Sequence, residues 1–382
     1  MSSLRALVVS PDFPPAAGGI QLLAHRLVSH LKGIICRVLT LQAPGAAAWD
    51  AEQRLDIRRI PTRPDRRLGI LRLNAAAIAE ARRFRPHLIL LMHIIASPAV
   101  AILGSPAGAL IAEDRHIPIV TYMHAREVPA RPAIASLAAR RSDRIVAVSR
   151  YTAGLAEAAG ADPDRIYVIP PGVDWRAPPT GTRRETPTVL TVARLADDYK
   201  GHDVMARAMP LIRSRVPGAE WVVLGDGTLR RDIERLAVSL GVRDAIHFHG
   251  TVSDSERDRW LDSAHVFAMP SRVPANGGGA GEGFGIVYLE AGVHGLPVVA
   301  GNIAGALDAV VDRRTGLLVD PTSPVDVADA VTRLLMDPQA TARMGAAASD
   351  HAREYAWPVI AARVQALLEE TAAGAKLSRT HL

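Results

Sequence analysis

The chain has one cysteine, Cys36, and only three lysines, Lys32, Lys200 and Lys376, although Lys and Arg together number 45. A single cysteine excludes a disulfide framework and fits a reducing compartment, with the thiol inert inside its apolar run. Aromatic residues make up 4% of the chain and are not interleaved with the scattered arginines. That excludes the stacking platform of a nucleic-acid binder, so no nucleic-acid partner is expected. A basic start followed by an apolar stretch and a cleavage site is also missing. Residues Met1 to Ser10 lead directly into Pro11-Asp12-Phe13-Pro14-Pro15. The expected start is therefore near Met1 and the expected location cytoplasmic. Finally, there is no unbroken membrane-length run. Leu88 to Ala112 has 25 residues without Asp, Glu, Lys or Arg, enough for the roughly 20 that a span requires. Pro98, Gly104, Pro106 and Gly108 interrupt it, which predicts a short strand (Leu88–Ile94) and a separate helix (Pro98–Ala112) in a soluble protein.

What the chain does contain is 382 residues, 48% apolar and 22% charged, enough for two or three domains with proper cores. Short apolar runs alternate with helical stretches, the pattern of parallel α/β architecture. Strands are expected near Ala6–Ser10, Ile34–Leu39, Leu88–Leu91, Ile117–Tyr122, Ile145–Val148 and Ile166–Ile169. Their unalternating apolar character suits strands covered on both faces. Helices are expected at Ile20–Leu31, Leu71–Arg83 and Tyr151–Ala159. A Pro/Gly/Thr-rich stretch, Pro170 to Thr182, breaks the pattern, which then restarts with strands at Thr188–Val192, Trp221–Leu224, Ile246–Phe248, Val266–Ala268, Pro297–Val299 and Gly316–Val319. The reading is an α/β chain of two facing, doubly wound Rossmann-like domains with an interdomain cleft. Residues 1–176 form the first, residues 177–357 the second, and 358–382 a C-terminal helix, free to pack back on the first domain, with a tail. Charge divides unevenly between them: residues 1–176 carry net +9 and the remainder net −3. A basic first half suits phosphates, anionic lipid or plain solvation.

Three places carry chemistry. The first βα junction, Ser10 to Ile20, ends in Gly18-Gly19 where a helix begins. It is either an anion-binding turn or an ordinary one. The strand Thr188–Val192 runs into Ala193-Arg194-Leu195-Ala196-Asp197-Asp198-Tyr199-Lys200-Gly201. It offers an arginine and a rare lysine to a diphosphate, or else a surface pair to Asp197 and Asp198. Further on, Gly277-Gly278-Gly279-Ala280-Gly281-Glu282-Gly283-Phe284-Gly285 enters a helix that contains Glu290. The amides of its first turn suit a charged oxygen and the two carboxylates suit sugar hydroxyls, eight residues and about two turns apart.

Taken in order, these motifs resemble the retaining, GT-B-fold glycosyltransferases of glycosyltransferase family 4. The ordered set is Gly18-Gly19, the strand-end His124, Val148-Ser149-Arg150-Tyr151, Pro171-Gly172-Val173-Asp174, Arg194 with Lys200, Gly225-Asp226-Gly227, His249-Gly250, and Glu282 with Glu290. The resemblance covers nearly the whole chain. It implies transfer of a hexose from a nucleoside diphosphate sugar with retention and without a metal or other cofactor. By it, Arg194 and Lys200 hold the diphosphate with Gly18, Gly19, Gly225 and the Gly283-Phe284-Gly285 backbone. Glu290 binds the ribose, and Glu282 and His124 contact the donor sugar. Asp12 and Tyr122 are assigned to the acceptor side. The chain departs from the pattern at one point: Arg194 and Lys200 are six apart where the family often has five.

Ser271 to Glu290, with its glycine-rich insertion, looks most like the phosphatidylinositol mannoside mannosyltransferases of that family. This implies GDP-mannose as donor and a lipid-linked glycan as acceptor. It also implies peripheral contact with the anionic inner face of the membrane through the basic first domain, with Ala133–Ala139 between Arg131 and Arg140-Arg141 as an interfacial helix. The alternatives are a UDP-sugar donor with a soluble small-molecule acceptor and, further off, nucleotide-sugar epimerisation on the same fold.

Overall fold

A computed structural model describes residues 3–16, 18–62, 65–99, 116–178, 181, 183–274 and 281–377. Most of the expected helix Pro98–Ala112, the three glycines Gly277–Gly279, part of the linker and the end of the tail lie outside these residues. The chain divides into two compact units, Met1–Gly172 with Trp357–Leu382, and Val173–Ala356.

In the first unit seven parallel strands, β1 (Leu4–Val9), β2 (Ile34–Leu41), β3 (Asp56–Ile60), β4 (Leu88–Leu91), β5 (Ile119–Met123), β6 (Arg144–Ala147) and β7 (Ile166–Val168), form one sheet. Their order is β3-β2-β1-β4-β5-β6-β7. The central strands are buried on both faces, and Leu7, Val9, Ile89, Leu91 and Ile119 pack on Leu73, Ala77 and Ala81 of helix Arg66–Phe84. The expected strands are present. The additional one, β3, reads Asp-Ile-Arg-Arg-Ile. As an edge strand it covers only part of its surface, so it carries none of the apolar run that marks its neighbours.

The second unit repeats the plan with β8 (Thr188–Val192), β9 (Glu220–Leu224), β10 (Ile246–Gly250), β11 (Val266–Met269), β12 (Val298–Gly301) and β13 (Gly316–Val319). They are ordered β10-β9-β8-β11-β12-β13. Its core joins Val189, Trp221, Val223 and Val299 to helix His202–Arg215 and helix Pro324–Met336. In both sheets the order reverses beside the first strand, between β1 and β4 and between β8 and β11. Doubly wound sheets bind ligands outside the carboxyl ends at such a reversal. Val9 pairs with Leu91 and Leu190 with Phe267, so the loops after these strands start side by side.

Two expectations change. The stretch Ala133–Ala139 does form a helix, Pro132–Arg141, but Ala135, Ala138 and Ala139 are spent in a cluster with Ile94, Met123, Val128 and Ile145. Its apolar face is therefore largely spent in the core, and the exposed residues are Pro132 and Ala133 with Arg131, Arg140 and Arg141. Cys36 is half-buried rather than enclosed, and burial pushes its thiol up to about 12. It stays a protonated, unreactive group. No helix of the described residues is long and apolar enough to cross a membrane.

Candidate active site

In the second unit the loop after β8 is pinned by its backbone. Leu195 is fully buried; its N–H donates to the Asp226 carbonyl and its carbonyl accepts from the Leu229 N–H, at 3.0 and 2.7 Å. Gly225 and Gly227 make this close approach possible. Their φ values are 134° and 158°, and a Cβ at Gly225 would lie 2.1 Å from the Ala193 carbonyl oxygen. The Gly225 N–H already donates to the Gly250 carbonyl at 2.8 Å. The residue expected near the donor thus sits where it shapes the loop that carries Arg194.

Burying Leu195 turns Arg194 outward. Its side chain is 71% exposed and donates to the Asp197 carboxylate at 3.0 Å. A short 3-10 turn, Asp198–Lys200, then folds Lys200 inward, which absorbs the six-residue spacing. The Lys200 ammonium pairs with the Glu282 carboxylate, and both side chains are nearly buried. Burial alone would lower the Lys200 pKa, but Glu282, with Tyr199 and Asp197, outweighs it and holds the ammonium above its ordinary value. Arg194 and Lys200 therefore share one acid, Asp197, and the second has a strong partner of its own. Gly201 follows at φ 76° as the N-cap of the next helix, its α-carbon side against the Pro270 carbonyl.

Glu282 sits on the loop before helix Ile286–Val293. That loop is clamped by Gly305, whose N–H donates to the Glu282 carbonyl at 2.9 Å and whose Cβ, if present, would lie 2.2 Å from the Gly283 oxygen. Phe284 is buried beside Tyr355, ring centroids 5.8 Å apart. Gly285 caps the helix at φ 86°. Among the described residues the N–H groups of Phe284 and Gly285 have no acceptor, as expected of amides at a helix start. Glu290 lies within the helix, and its neighbours are not those of Glu282. Burial raises its pKa, the Arg257 charge opposes this, and Asp258, Asp174 and Asp254 reinforce it. Its carboxylate makes no hydrogen bond with the described residues. Tyr199 and Arg257 were not singled out in the sequence. Among the described residues no three His, Cys, Asp or Glu side chains converge as a metal would require.

In the first unit Gly18 caps helix Gly19–His30 at φ 151°, and a Cβ at Gly19 would meet nothing within 4 Å. The helix start is open to an approaching group. Asp12 is tied to Arg66 at 2.6 Å. Tyr122, expected on the acceptor side, is instead a core residue of β5 at 2% exposure. Its ring stacks on His124 at 6.1 Å. His124 stands just past β5, half-buried, with Nε2 3.0 Å from the Met92 carbonyl oxygen. A carbonyl only accepts, so the proton sits on Nε2 and Nδ1 presents a lone pair. Burial lowers the His124 pKa, Glu127 opposes that and His93 adds to it, and the balance favours the neutral ring. Glu127 escaped the sequence reading. The available signal was an acid, Glu127, set among Val128, Pro129 and Ala130.

This arrangement matches known proteins over its length. Residues 177–351 match the family described as glycosyl transferases group 1, and residues 17–176 match Glycosyltransferase Family 4. The chain is 33% identical to the GDP-mannose-dependent alpha-(1-6)-phosphatidylinositol monomannoside mannosyltransferase of Mycobacterium tuberculosis, covering 94% of this chain and 97% of that one. It is 34% identical to the protein of the same name from Mycolicibacterium smegmatis, covering 95% and 97%. Among solved structures it superposes on Anabaena HepE in complex with UDP and glucose with a TM-score of 0.76 at 20% identity, covering 96% and 100% of the two chains. Sucrose-phosphate synthase from Thermosynechococcus elongatus gives 0.77 at 19%, covering 97% and 100%. Two parallel α/β units of this topology, both family matches and full-length relatives agree: the chain belongs to the GT-B-fold glycosyltransferases of family 4.

Proposed function

We propose that the protein transfers mannose from GDP-mannose to a phosphatidylinositol mannoside, with retention at the anomeric carbon and without a metal. The donor and acceptor come from the names of the relatives. The alpha-(1-6) in their names supports retention, because the mannosyl group of GDP-mannose is itself α-linked. The observation that carries the reading is the Lys200 ammonium, kept charged and nearly buried by Glu282, with the exposed Arg194 beside Asp197.

When the anomeric C–O bond breaks, negative charge develops on the departing diphosphate. Preorganised cations and amide dipoles stabilise such charge most where water is excluded. Arg194 and Lys200, with the amides of Phe284 and Gly285, which have no acceptor among the described residues, are these groups. Glu282 keeps Lys200 oriented and meets the donor sugar. Glu290 accepts from the ribose hydroxyls, and the first unit offers the Nδ1 lone pair of His124 to a sugar hydroxyl. Gly19 leaves room for a phosphate at the helix start that Gly18 caps. Acceptor binding belongs to the first unit, with Asp12 at its βα junction. Its exposed arginines suit an anionic membrane surface by charge. The cytoplasmic side of the membrane is the matching location.

Lys200→Met tests this directly. Transfer from GDP-mannose, followed by labelled product, is expected to fall at least about a hundredfold, since one oxyanion-stabilising donor is worth 10²–10³ in rate. Wild-type transfer by a folded Lys200→Met protein would reject the assignment. Transfer from UDP-sugars to soluble acceptors, but not from GDP-mannose, would replace the donor and acceptor.

A further inference from the structure

We propose that Glu127 is the residue that positions His124, by tying together the two strand-end loops that supply the imidazole and its carbonyl partner. The functional weight of that imidazole rests on the reading above, but the positioning does not.

Glu127 is 3% exposed, next to Val128 and bonded to Ile94, both members of a buried apolar cluster. Burying a carboxylate costs several kcal/mol unless its oxygens are satisfied. Here both are. Oε1 accepts from the His124 N–H at 2.8 Å, and Oε2 accepts from the Ile94 N–H at 3.2 Å and faces His93 Nδ1 at 2.8 Å. Burial works against its charge, yet His93 and His124 hold the carboxyl below its ordinary range. The carboxylate therefore spans the loop after β4 and the loop after β5. The same two loops provide the Met92 carbonyl and the His124 ring, joined at 3.0 Å. Met92 is itself anchored, its N–H donating to the Val9 carbonyl at 3.0 Å. Fixing Ile94 and the His124 backbone to one carboxylate fixes the distance between the ring and Met92, and that contact holds the proton on Nε2. Glu127 is too buried to meet a substrate, so it acts through His124. In its place a neutral glutamine has one oxygen for two loop amides and turns its NH2 toward donors.

The test uses the full chain with 15N-labelled histidine. At pH 7 long-range proton–nitrogen spectra of the wild type are expected to show His124 as the neutral, Nε2-protonated tautomer. In Glu127→Gln that signature is expected to give way to a tautomer mixture. Transfer kcat should fall about tenfold to a hundredfold, the scale set by small misplacements of a reacting group. GDP affinity should remain within about twofold, because a positioning loss falls on kcat rather than on nucleotide binding. Glu127→Asp keeps the charge but shortens the reach, and serves if the glutamine variant does not fold; a smaller shift of the same kind is expected. A folded Glu127→Gln or Glu127→Asp protein with the wild-type His124 tautomer and wild-type kcat overturns the proposal. A changed tautomer with unchanged transfer in both Glu127→Gln and His124→Ala supports the positioning and removes His124 from the reaction.

Discussion

At the scale of single residues, the two cations of the second unit differ in what holds them. Arg194 is exposed, so although its partner Asp197 is buried the bond is open to solvent on one side and is worth about 1 kcal/mol or less. Lys200 and Glu282 are both nearly buried, and removing one partner of such a pair costs roughly 3–5 kcal/mol when burial is complete, less with the residual exposure here. Arg194→Ala should therefore leave the melting temperature almost unchanged while weakening GDP binding about tenfold, whereas Lys200→Met should lower both. Calorimetric binding with thermal unfolding separates the two. Equal melting losses in the two variants would contradict the distinction.

Glu290 adds a pH dependence. Its pKa is raised by burial; on the proposed contact, in which ribose hydroxyls donate to its ionised form, GDP affinity should fall as pH drops through that raised value. Glu290→Gln should flatten the profile, which titration calorimetry at several pH values measures. An unflattened profile would assign the dependence elsewhere. The Lys200 pKa is also raised, so it stays charged throughout this range and contributes no slope. His202 gives a separate effect. It is 3% exposed, neither ring nitrogen has a partner among the described residues, and its pKa is lowered to about 4. The folded state binds its proton later than the unfolded chain does. Stability should therefore drain away below pH 6.5, levelling near pH 4, by about 3 kcal/mol. Denaturant titrations of His202→Phe should lose that slope; an unchanged slope would place it on other groups.

Residues differed in how legible they were. Arg194, Lys200 and Glu282 stand at strand ends or in a glycine-rich turn, places that sequence marks. The ion pair joining residues 82 apart in sequence did not show there. Glu127 was passed over for a related reason. What makes it notable is burial against Ile94, and long-range packing alone sets that.

At the scale of elements, strands covered on both faces announce themselves as apolar runs, which is why Leu88–Leu91, Thr188–Val192 and Gly316–Val319 were read as they stand. The edge strand β3 was not, since its exposed side carries charge. Helix Arg66–Phe84 starts before the expected Leu71 because Asp65 caps it through the Leu68 N–H at 2.9 Å, and its first turn is Arg66-Arg67. The helix that carries Glu290 depends on a loop-to-loop contact with almost no tolerance. Gly305→Ala would drive a methyl group to within 2.6 Å of the Phe284 nitrogen. Overpacking of this sort costs about 1–3 kcal/mol, here borne by the Glu282–Phe284 loop. GDP-mannose binding is expected to weaken at least about tenfold with a modest loss in melting temperature. Unchanged binding would show that the loop's position is immaterial to the donor.

At the scale of the whole molecule, the chain leaves the first unit after Gly172 and returns at Trp357. Within that unit Trp357 is 2% exposed and its ring leaves no room for a Cβ on Gly172. Helix Trp357–Leu377 follows, burying Ile360, Val364 and Leu368. The sequence reading leaves residues 358–382 as a C-terminal helix free to pack back on the first domain, and Trp357–Leu382 falls in the first unit. Composition shows that basic charge gathers in the first half, where the acceptor is proposed to bind.

The central claim is retaining mannosyl transfer from GDP-mannose, and the anomeric configuration of the product tests it most directly. With GDP-mannose, vesicles containing phosphatidylinositol mannoside, and a chelator present, NMR of the isolated glycolipid is predicted to show one new α-linked mannose. A β-linked product, or no product from GDP-mannose under conditions where another nucleoside diphosphate sugar reacts, would contradict it.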